Sequence, residues 1–444
     1  MKRKLFISAI LICLFTYGIA QDMWKYYSPS DFAARRARVF EKIGSSVAIL
    51  LGAELPEPFI KFRQDNNFYY LTGVELPDAV LILDGRNKTS TLMVPDRIPG
   101  DIKDEAKIRP GADAASLYKM DSVISRSHLT DKLTALAATN PTFYLQNGYE
   151  EEAEMTRDRS QAVWSLRKQD PWDGRMPRQA MFMNSIKSKF PGVEIKNLTP
   201  IMDDLRWVKD AKEIAVLRAC GKIGCQGFDE AMKITRPGVY EYQLVAACDF
   251  VYQYYGTTPA YFAIAASGER GLSWHYNANN HPLKDGDVIL IDYAPELNYM
   301  TTDITRTWPV NGKFSDTQLK FYNTIKEMRE KVIAAIKPGV TMKDLQAVGK
   351  DVFTKHGMEK YWIGYVGHFV GMAVHDVGSY DKPFVEGVVF NVEPLIEDKD
   401  LKIHLRLEDT IVVTATGSEN VTNSSPVEPE AIYKLIAEKG IWEK

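Results

Sequence analysis

Asp287-Val288-Ile289-Leu290-Ile291-Asp292 and, after a short connection, Thr301-Thr302-Asp303-Ile304-Thr305-Arg306-Thr307-Trp308 are the stretches from which the fold is read. The run from Val288 to Ile291 is short, apolar and rich in β-branched residues, the pattern of a buried strand, and it delivers Asp292 at its end. In the second stretch, alternation puts Asp303, Thr305 and Thr307 on one face. Together they read as adjacent strands of one hairpin with two acids facing each other. An acid leaving a buried strand needs a compensating partner.

The same device recurs downstream. Asn391-Val392-Glu393-Pro394 presents an acid at the end of the apolar run Val388 to Val392. The neighbouring segment Ile403 to Val413 reads as one strand with Arg406 and Glu408 on a shared face. Four carboxylates aimed into one core repel unless cations sit among them. Between the two acid pairs lies Gly367-His368-Phe369-Val370-Gly371-Met372-Ala373-Val374-His375-Asp376, two histidines in a glycine-rich apolar setting. One imidazole with four carboxylates suits two divalent ions with oxygen-rich shells: manganese as first choice, zinc or cobalt as alternatives.

In order and context, Asp292, Asp303, His368, Glu393 and Glu408 resemble the ligand set of the pita-bread metallopeptidases, specifically the Xaa-Pro aminopeptidase and prolidase branch. The resemblance covers nearly the whole chain after its first residues. It implies that Asp303 and Glu408 bridge two cations, that Asp292 completes one shell, and that His368 and Glu393 complete the other. It also carries over His275, in Ser273-Trp274-His275-Tyr276, as a substrate-side histidine, His375 as the group that steadies the reacting carbonyl oxygen, and Arg406 as the residue that orients a ligand carboxylate. Glu393 doubles as the proton carrier. The implied reaction is hydrolysis of the peptide bond before proline by a water that the metal pair acidifies. An Xaa-Pro dipeptidase is the alternative, a non-catalytic binding module of the same fold the remoter one. A homo-oligomer is also implied.

The sequence departs from the family in two places. A histidine is expected four residues before His368, where Gly364 stands in Trp362-Ile363-Gly364-Tyr365-Val366-Gly367, and Leu395 replaces the glycine that normally follows the Glu-Pro pair.

Towards the amino terminus, Phe62-Arg63-Gln64-Asp65-Asn66-Asn67-Phe68-Tyr69-Tyr70-Leu71-Thr72-Gly73 resembles the signature of the creatinase-type amino-terminal domain. Around it, a helix with Ser30 as N-cap ends at Gly44, its arginines Arg35, Arg36 and Arg38 read as solvated surface, and strands are expected at 46–51, 68–74, 79–83 and 90–94. Residues 150–179, charged and proline-bearing, read as an exposed excursion. Two similar segments, Arg236-Pro237-Gly238-Val239 and Lys337-Pro338-Gly339-Val340, hint that the second half is duplicated.

The resulting organisation is α/β: a leader over 1–20, a creatinase-type α/β domain over 21–198, and a pita-bread catalytic domain with pseudo-two-fold halves over 199–444. Lys2, Arg3 and Lys4 before the apolar run Leu5 to Phe15 mark a secretory signal peptide, so a secreted or periplasmic location is expected, with no membrane attachment after cleavage. Of the cysteines, Cys220, Cys225 and Cys248 lie beyond that leader; an odd number cannot pair fully, and all three read as buried apolar residues. With 45% hydrophobic and 25% charged residues the 444-residue chain has a globular enzyme's composition, and a net charge of −3 gives no electrostatic reason to expect nucleic acid as a partner.

Overall fold

The computed structural model describes residues 25–57, 59–96, 108–139, 142–147 and 157–443, so the segment expected to be a signal peptide lies outside the described residues. The amino-terminal part is built on a mixed six-stranded sheet, ordered in space Ser122–Ser125, Thr89–Val94, Val80–Asp84, Val47–Leu51, Thr142–Leu145, Glu194–Asn197, with helices around it. Among the described residues no helix is long and apolar enough to cross a membrane.

Two expectations fail here for physical reasons. Residues 68–74 do not form a strand: the helix Asn66–Thr72 occupies them, capped by the Asp65 carboxylate, which accepts from the Phe68 N–H, and closed by Gly73 in the left-handed region. Good caps at both ends outweigh the strand preference of Phe68, Tyr69 and Tyr70. The first helix, Pro29–Ile43, is capped by Ser28 rather than Ser30, and its Arg35 and Arg36 are buried. Arg36 donates to the Leu71 carbonyl at 2.8 Å, and Arg35 meets Asp210 and Glu213 at 3.2 and 3.4 Å. Of the three arginines read as solvated only Arg38 is exposed, and Arg35 pins the first helix to the start of the second half.

That second half repeats itself. Gly238 donates to the Leu283 carbonyl and accepts Val239 as a neighbour whose carbonyl receives the Leu283 N–H; Gly339, Phe384 and Val340 reproduce the pattern, all four bonds at 2.8 Å. Both glycines sit at φ near +90°, which explains why glycine recurs. One separation in sequence divides Gly238 from Gly339, Leu283 from Phe384, the helix Glu241–Tyr254 from the helix Met342–Lys355, and Asp292 from Glu393. The two metal-type acids that end apolar strands are thus equivalent positions of a duplicated unit.

Each copy contributes a small antiparallel sheet. The first is ordered Thr305–Pro309, Val288–Asp292, Ile264–Ser267, the second Gly367–Phe369, Val389–Val392, Asp409–Val413, Ser418–Asn420. The two runs pair as antiparallel strands as expected, but Asp292 stands opposite Thr305, and Asp303 lies just ahead of its strand rather than in it, after Pro295–Leu297 and Met300–Thr301, which belong to a separate sheet. The segment 403–413 is not one strand: Ile403–Arg406 pairs with Leu395–Asp398, and Asp409–Val413 pairs with Val389–Val392. At the break between them Glu408 bridges to Thr305, which joins the two sheets. The free cysteines Cys220, Cys225 and Cys248 are buried, as expected.

Under that seam lies a wholly buried charge cluster. Arg306 Nη2 meets Asp409 Oδ1 at 2.9 Å, Arg329 Nε donates to Asp409 Oδ2, and Arg306 Nη1 donates to the Glu408 carbonyl at 2.7 Å. Burial works against the Asp409 carboxylate, but the charges of Arg306 and Arg329 outweigh it and bring its pKa down to about 2. A depressed carboxylate stabilises the fold above its unfolded pKa of about 3.9, and that contribution is lost as pH falls towards 2. Asp409→Asn should strand two buried guanidinium groups at a cost of roughly 3–5 kcal/mol. Urea unfolding at pH 7 would measure it, and a difference from wild type that persists unchanged at pH 2.5 would contradict the linkage.

Candidate metal centre

The five candidate ligands arrive from different elements of both halves. Asp292 ends its strand, Asp303 sits in the short connection between Met300–Thr301 and Thr305–Pro309, His368 is the middle residue of Gly367–Phe369, Glu393 follows Val389–Val392, and Glu408 occupies the break between two strands. All five are buried. Asp292, Asp303 and Glu408 bring one ligand atom each within 4.8 Å of one another, as do His368, Glu393 and Glu408, and Asp303, His368 and His375. Asp303 and Glu408 therefore lie between Asp292 on one side and the His368–Glu393 pair on the other.

Hydrogen bonds fix each side chain. The Tyr261 hydroxyl lies 2.9 Å from Asp292 Oδ1 and 2.6 Å from Asp303 Oδ1, and Thr410 Oγ1 accepts from the Asp303 N–H. Thr305 Oγ1 and Asn391 Nδ2 donate to the two oxygens of Glu408. His368 Nδ1 donates to the Phe369 carbonyl at 3.1 Å, so Nε2 is the nitrogen turned to the acids, 3.3 Å from Asp303 and 3.6 Å from Glu408. Arg406 spans two acids, Nη2 to Asp292 Oδ2 at 2.7 Å and Nη1 to Glu393 Oε1 at 3.2 Å.

The electrostatics show what such a cluster lacks. Burial, then the neighbouring charge of Asp292, lifts the Asp303 pKa well above the carboxylate range, and burial with the charges of Asp303, Glu393 and Asp292 does the same to Glu408. Burial disfavours the His368 imidazolium, yet its hydrogen bond to Glu408 and the charges of Glu393 and Glu408 raise it above an ordinary histidine. Four carboxylates with one arginine among them carry uncompensated negative charge in a water-poor core. Two divalent cations would neutralise it, and the donor set of carboxylate oxygens plus a single imidazole nitrogen fits them.

Of the other expected site residues, His375 joins the cluster, its ring 4.0 Å from that of His368, and burial followed by the charge of His368 brings its pKa down to about 2, which keeps it neutral. His275 stands further out, exposed at the rim, with Nδ1 accepting from Arg159 Nη2 at 2.7 Å; partial desolvation and then the charge of Arg159 lower its pKa. At the first departure, Gly364 has φ +79° and open space where a side chain would be, and its carbonyl accepts from Gln346 at 2.9 Å. Its neighbour Tyr365 donates to Glu393 Oε2 at 2.6 Å. At the second, Leu395 is buried opposite Arg406 in the hairpin. Sequence reasoning missed Tyr261, Tyr365 and Arg159. Tyr261 carries no local signal, whereas Tyr365 lies inside the stretch already marked by the departure.

Comparison with known proteins agrees with this geometry. The model of metallopeptidase family M24 matches residues 215–415, and that of the aminopeptidase P amino-terminal domain matches residues 32–144. The chain carries an M24 metallopeptidase domain behind an aminopeptidase P amino-terminal domain. It is 28% identical to the Xaa-Pro aminopeptidase of Escherichia coli K12, over 92% of this chain and 98% of that one, and 28% identical to human Xaa-Pro aminopeptidase 3, over 85% and 77%. Among solved structures it superimposes with TM-score 0.76 on E. coli aminopeptidase P bound to the inhibitor Pro-Leu, at 27% identity over 92% and 98% of the two chains. A Bacillus anthracis chain assigned as aminopeptidase P gives TM-score 0.83 at 26% identity, covering 93% and 99%.

Within this M24 domain Arg406 is the one arginine or lysine paired with Asp292 and Glu393 among the described residues. Arg406→Met should lower the melting temperature of chelator-treated protein, by removing about 3–5 kcal/mol of compensation for buried acids. Divalent cation should restore part of the loss; scanning calorimetry with and without chelator checks both.

Proposed function

We propose that this M24 metallopeptidase is an exported Xaa-Pro aminopeptidase that works with two divalent cations, manganese as first choice, held by Asp292, Asp303, His368, Glu393 and Glu408. The observation that carries the reading is the overlap of ligand-atom groups on Glu408, with Asp303 between the outer ligands, which is the arrangement two bridged ions need. When bound, such a pair lowers the pKa of a water so that it can attack at neutral pH.

The chain's own groups do the rest. Glu393, steered by Arg406 on Oε1 and Tyr365 on Oε2, takes the proton of the attacking water and passes it to the leaving nitrogen, which in an Xaa-Pro bond carries no hydrogen of its own. His375, kept neutral by burial, offers an N–H to the carbonyl oxygen as negative charge develops there. His275, its Nδ1 occupied by Arg159, presents a protonated Nε2 on the substrate side. Tyr365 supplies a donor beside the position where the branch carries a histidine, and this supports catalysis rather than loss of it.

One observation favours the dipeptidase alternative: Arg159 donates to His275 at 2.7 Å, which places a guanidinium on the substrate side, the group suited to meet the carboxylate of a substrate that ends at proline. Export is supported by the basic-then-apolar leader at Met1 to Ala20.

Purified protein should release the first residue of an Xaa-Pro-Pro tripeptide only with divalent cation present, with cleavage confined to an Xaa-Pro dipeptide marking the alternative. Titration calorimetry should count two cations per chain in the wild type and fewer in Asp303→Asn, whose activity should fall at least about 10³-fold if a bridging ligand is lost. Wild-type turnover by Asp303→Asn with both cations bound would overturn the assignment.

A further inference from the structure

The Arg63-Gln64-Asp65-Asn66-Asn67 motif lies in the amino-terminal domain, far in sequence from every candidate ligand, yet Arg63 and Asn66 reach the loop that carries His375 directly and Asn67 reaches it through Arg206. Asn66 Nδ2 donates to the Met372 carbonyl at 3.1 Å, and Arg63 Nη2 approaches the same oxygen at 3.4 Å. Asn67 Oδ1 accepts from Arg206 Nη1 at 2.8 Å, while Arg206 Nη2 reaches Asp376 Oδ1 at 2.5 Å. Asp376 also meets Lys209 Nζ at 3.3 Å and accepts from the Met372 N–H at 3.1 Å, and its own N–H donates to the Phe369 carbonyl at 2.9 Å. The Arg206, Lys209 and Asp376 side chains are 1% exposed, so water cannot replace a lost partner.

His375 itself has the His368 ring against it and no side-chain hydrogen bond among the described residues. Its placement is therefore set by the loop backbone between Phe369 and Asp376, and that backbone is gripped at Met372 and at Asp376. Arg206 has two guanidinium arms, one committed to each domain, so a shift of Asn67 moves the group that holds the residue next to His375.

We propose that Asn66 and Asn67, acting through the Met372 carbonyl and through Arg206 and Asp376, are positioning residues for His375, which makes the amino-terminal domain part of the catalytic apparatus rather than an appended module. The inference rests on the role given to His375 above. Because the distance from an oxyanion donor to its target governs the gain it gives, a displacement of the order of an ångström is costly.

The test is a double-mutant cycle on the full-length, cation-loaded protein with an Xaa-Pro-Pro tripeptide. Asn67→Ala should lower kcat by roughly ten- to a hundredfold with KM nearly unchanged. Calorimetric cation affinity should match wild type, and Asn67→Asp, which keeps an acceptor for Arg206, should recover most of the rate. In a His375→Ala background, Asn67→Ala should add less than about a twofold further loss. Asn66→Ser serves as a second probe should Asn67→Ala fold poorly, and hydrogen exchange at the Met372 and Asp376 amides should quicken in either variant. Independent, multiplicative losses in the double mutant, or full kcat in both single variants, would overturn the proposal. A His375→Ala enzyme with wild-type kcat would overturn it together with the His375 role while leaving metal-dependent peptide cleavage intact.

Discussion

The mutual repulsion of Asp292, Asp303, Glu393 and Glu408 is the constraint on which the rest of the second half depends. Left alone, four buried acids would push the two sheets apart at the point where Glu408 and Thr305 join them. The fold answers first with geometry. Two copies of one unit meet with equivalent strands ending in Asp292 and Glu393, so their acids converge on the seam. It answers next with donors: Tyr261 between Asp292 and Asp303, Thr305 and Asn391 on Glu408, and Arg406 across Asp292 and Glu393. One arginine cannot neutralise four carboxylates, and the raised Asp303 and Glu408 express the remainder that cations would balance.

Beneath the seam the opposite balance holds. Asp409, next in sequence to Glu408, faces Arg306 and Arg329 and is held ionised, with Thr422 completing its hydrogen bonds. Adjacent residues thus serve opposed purposes. Glu408 points into an acid-rich cluster, Asp409 into a base-rich one, and the strand break between Arg406 and Asp409 lets both side chains be satisfied at once. Arg306 also holds the Glu408 carbonyl, so the structural ion pair fixes the backbone of a metal-site acid.

Much of this was legible in the chain because the signals are local. An apolar β-branched run that ends in an acid announces Asp292 and Glu393, and the Pro-Gly-Val repeat announces the duplication that makes them equivalent. The misreadings occur where a distant partner decides. Arg35 looks like surface until Asp210 and Glu213, far along the chain, supply its counter-charge. Phe68 to Val74 looks like a strand until the caps Asp65 and Gly73 are weighed against aromatic propensity. The run 403–413 alternates smoothly across a break that only the pairing partners reveal. Tyr261 could not have been chosen from sequence at all, since nothing near it in the chain hints at acids brought in by a strand many residues later.

The departure at Gly364 bears on how much of a hydrolytic site can be exchanged without losing it. A histidine there would be one donor on the substrate side, and in its absence the adjoining Tyr365 turns its hydroxyl to Glu393 at 2.6 Å. A phenol in a half-buried position keeps its proton, because burial and the charge of Glu393 both raise its pKa. It can therefore steer the carboxylate that moves the proton but cannot itself act as a base near neutral pH. The metal-type ligands are all retained while the replaced group is one whose task, donating a hydrogen bond, a neighbour can perform. That pattern is expected when selection preserves the chemistry and relaxes the means of orienting it, whereas a module kept only for binding would be under no pressure to keep five mutually repelling groups buried together.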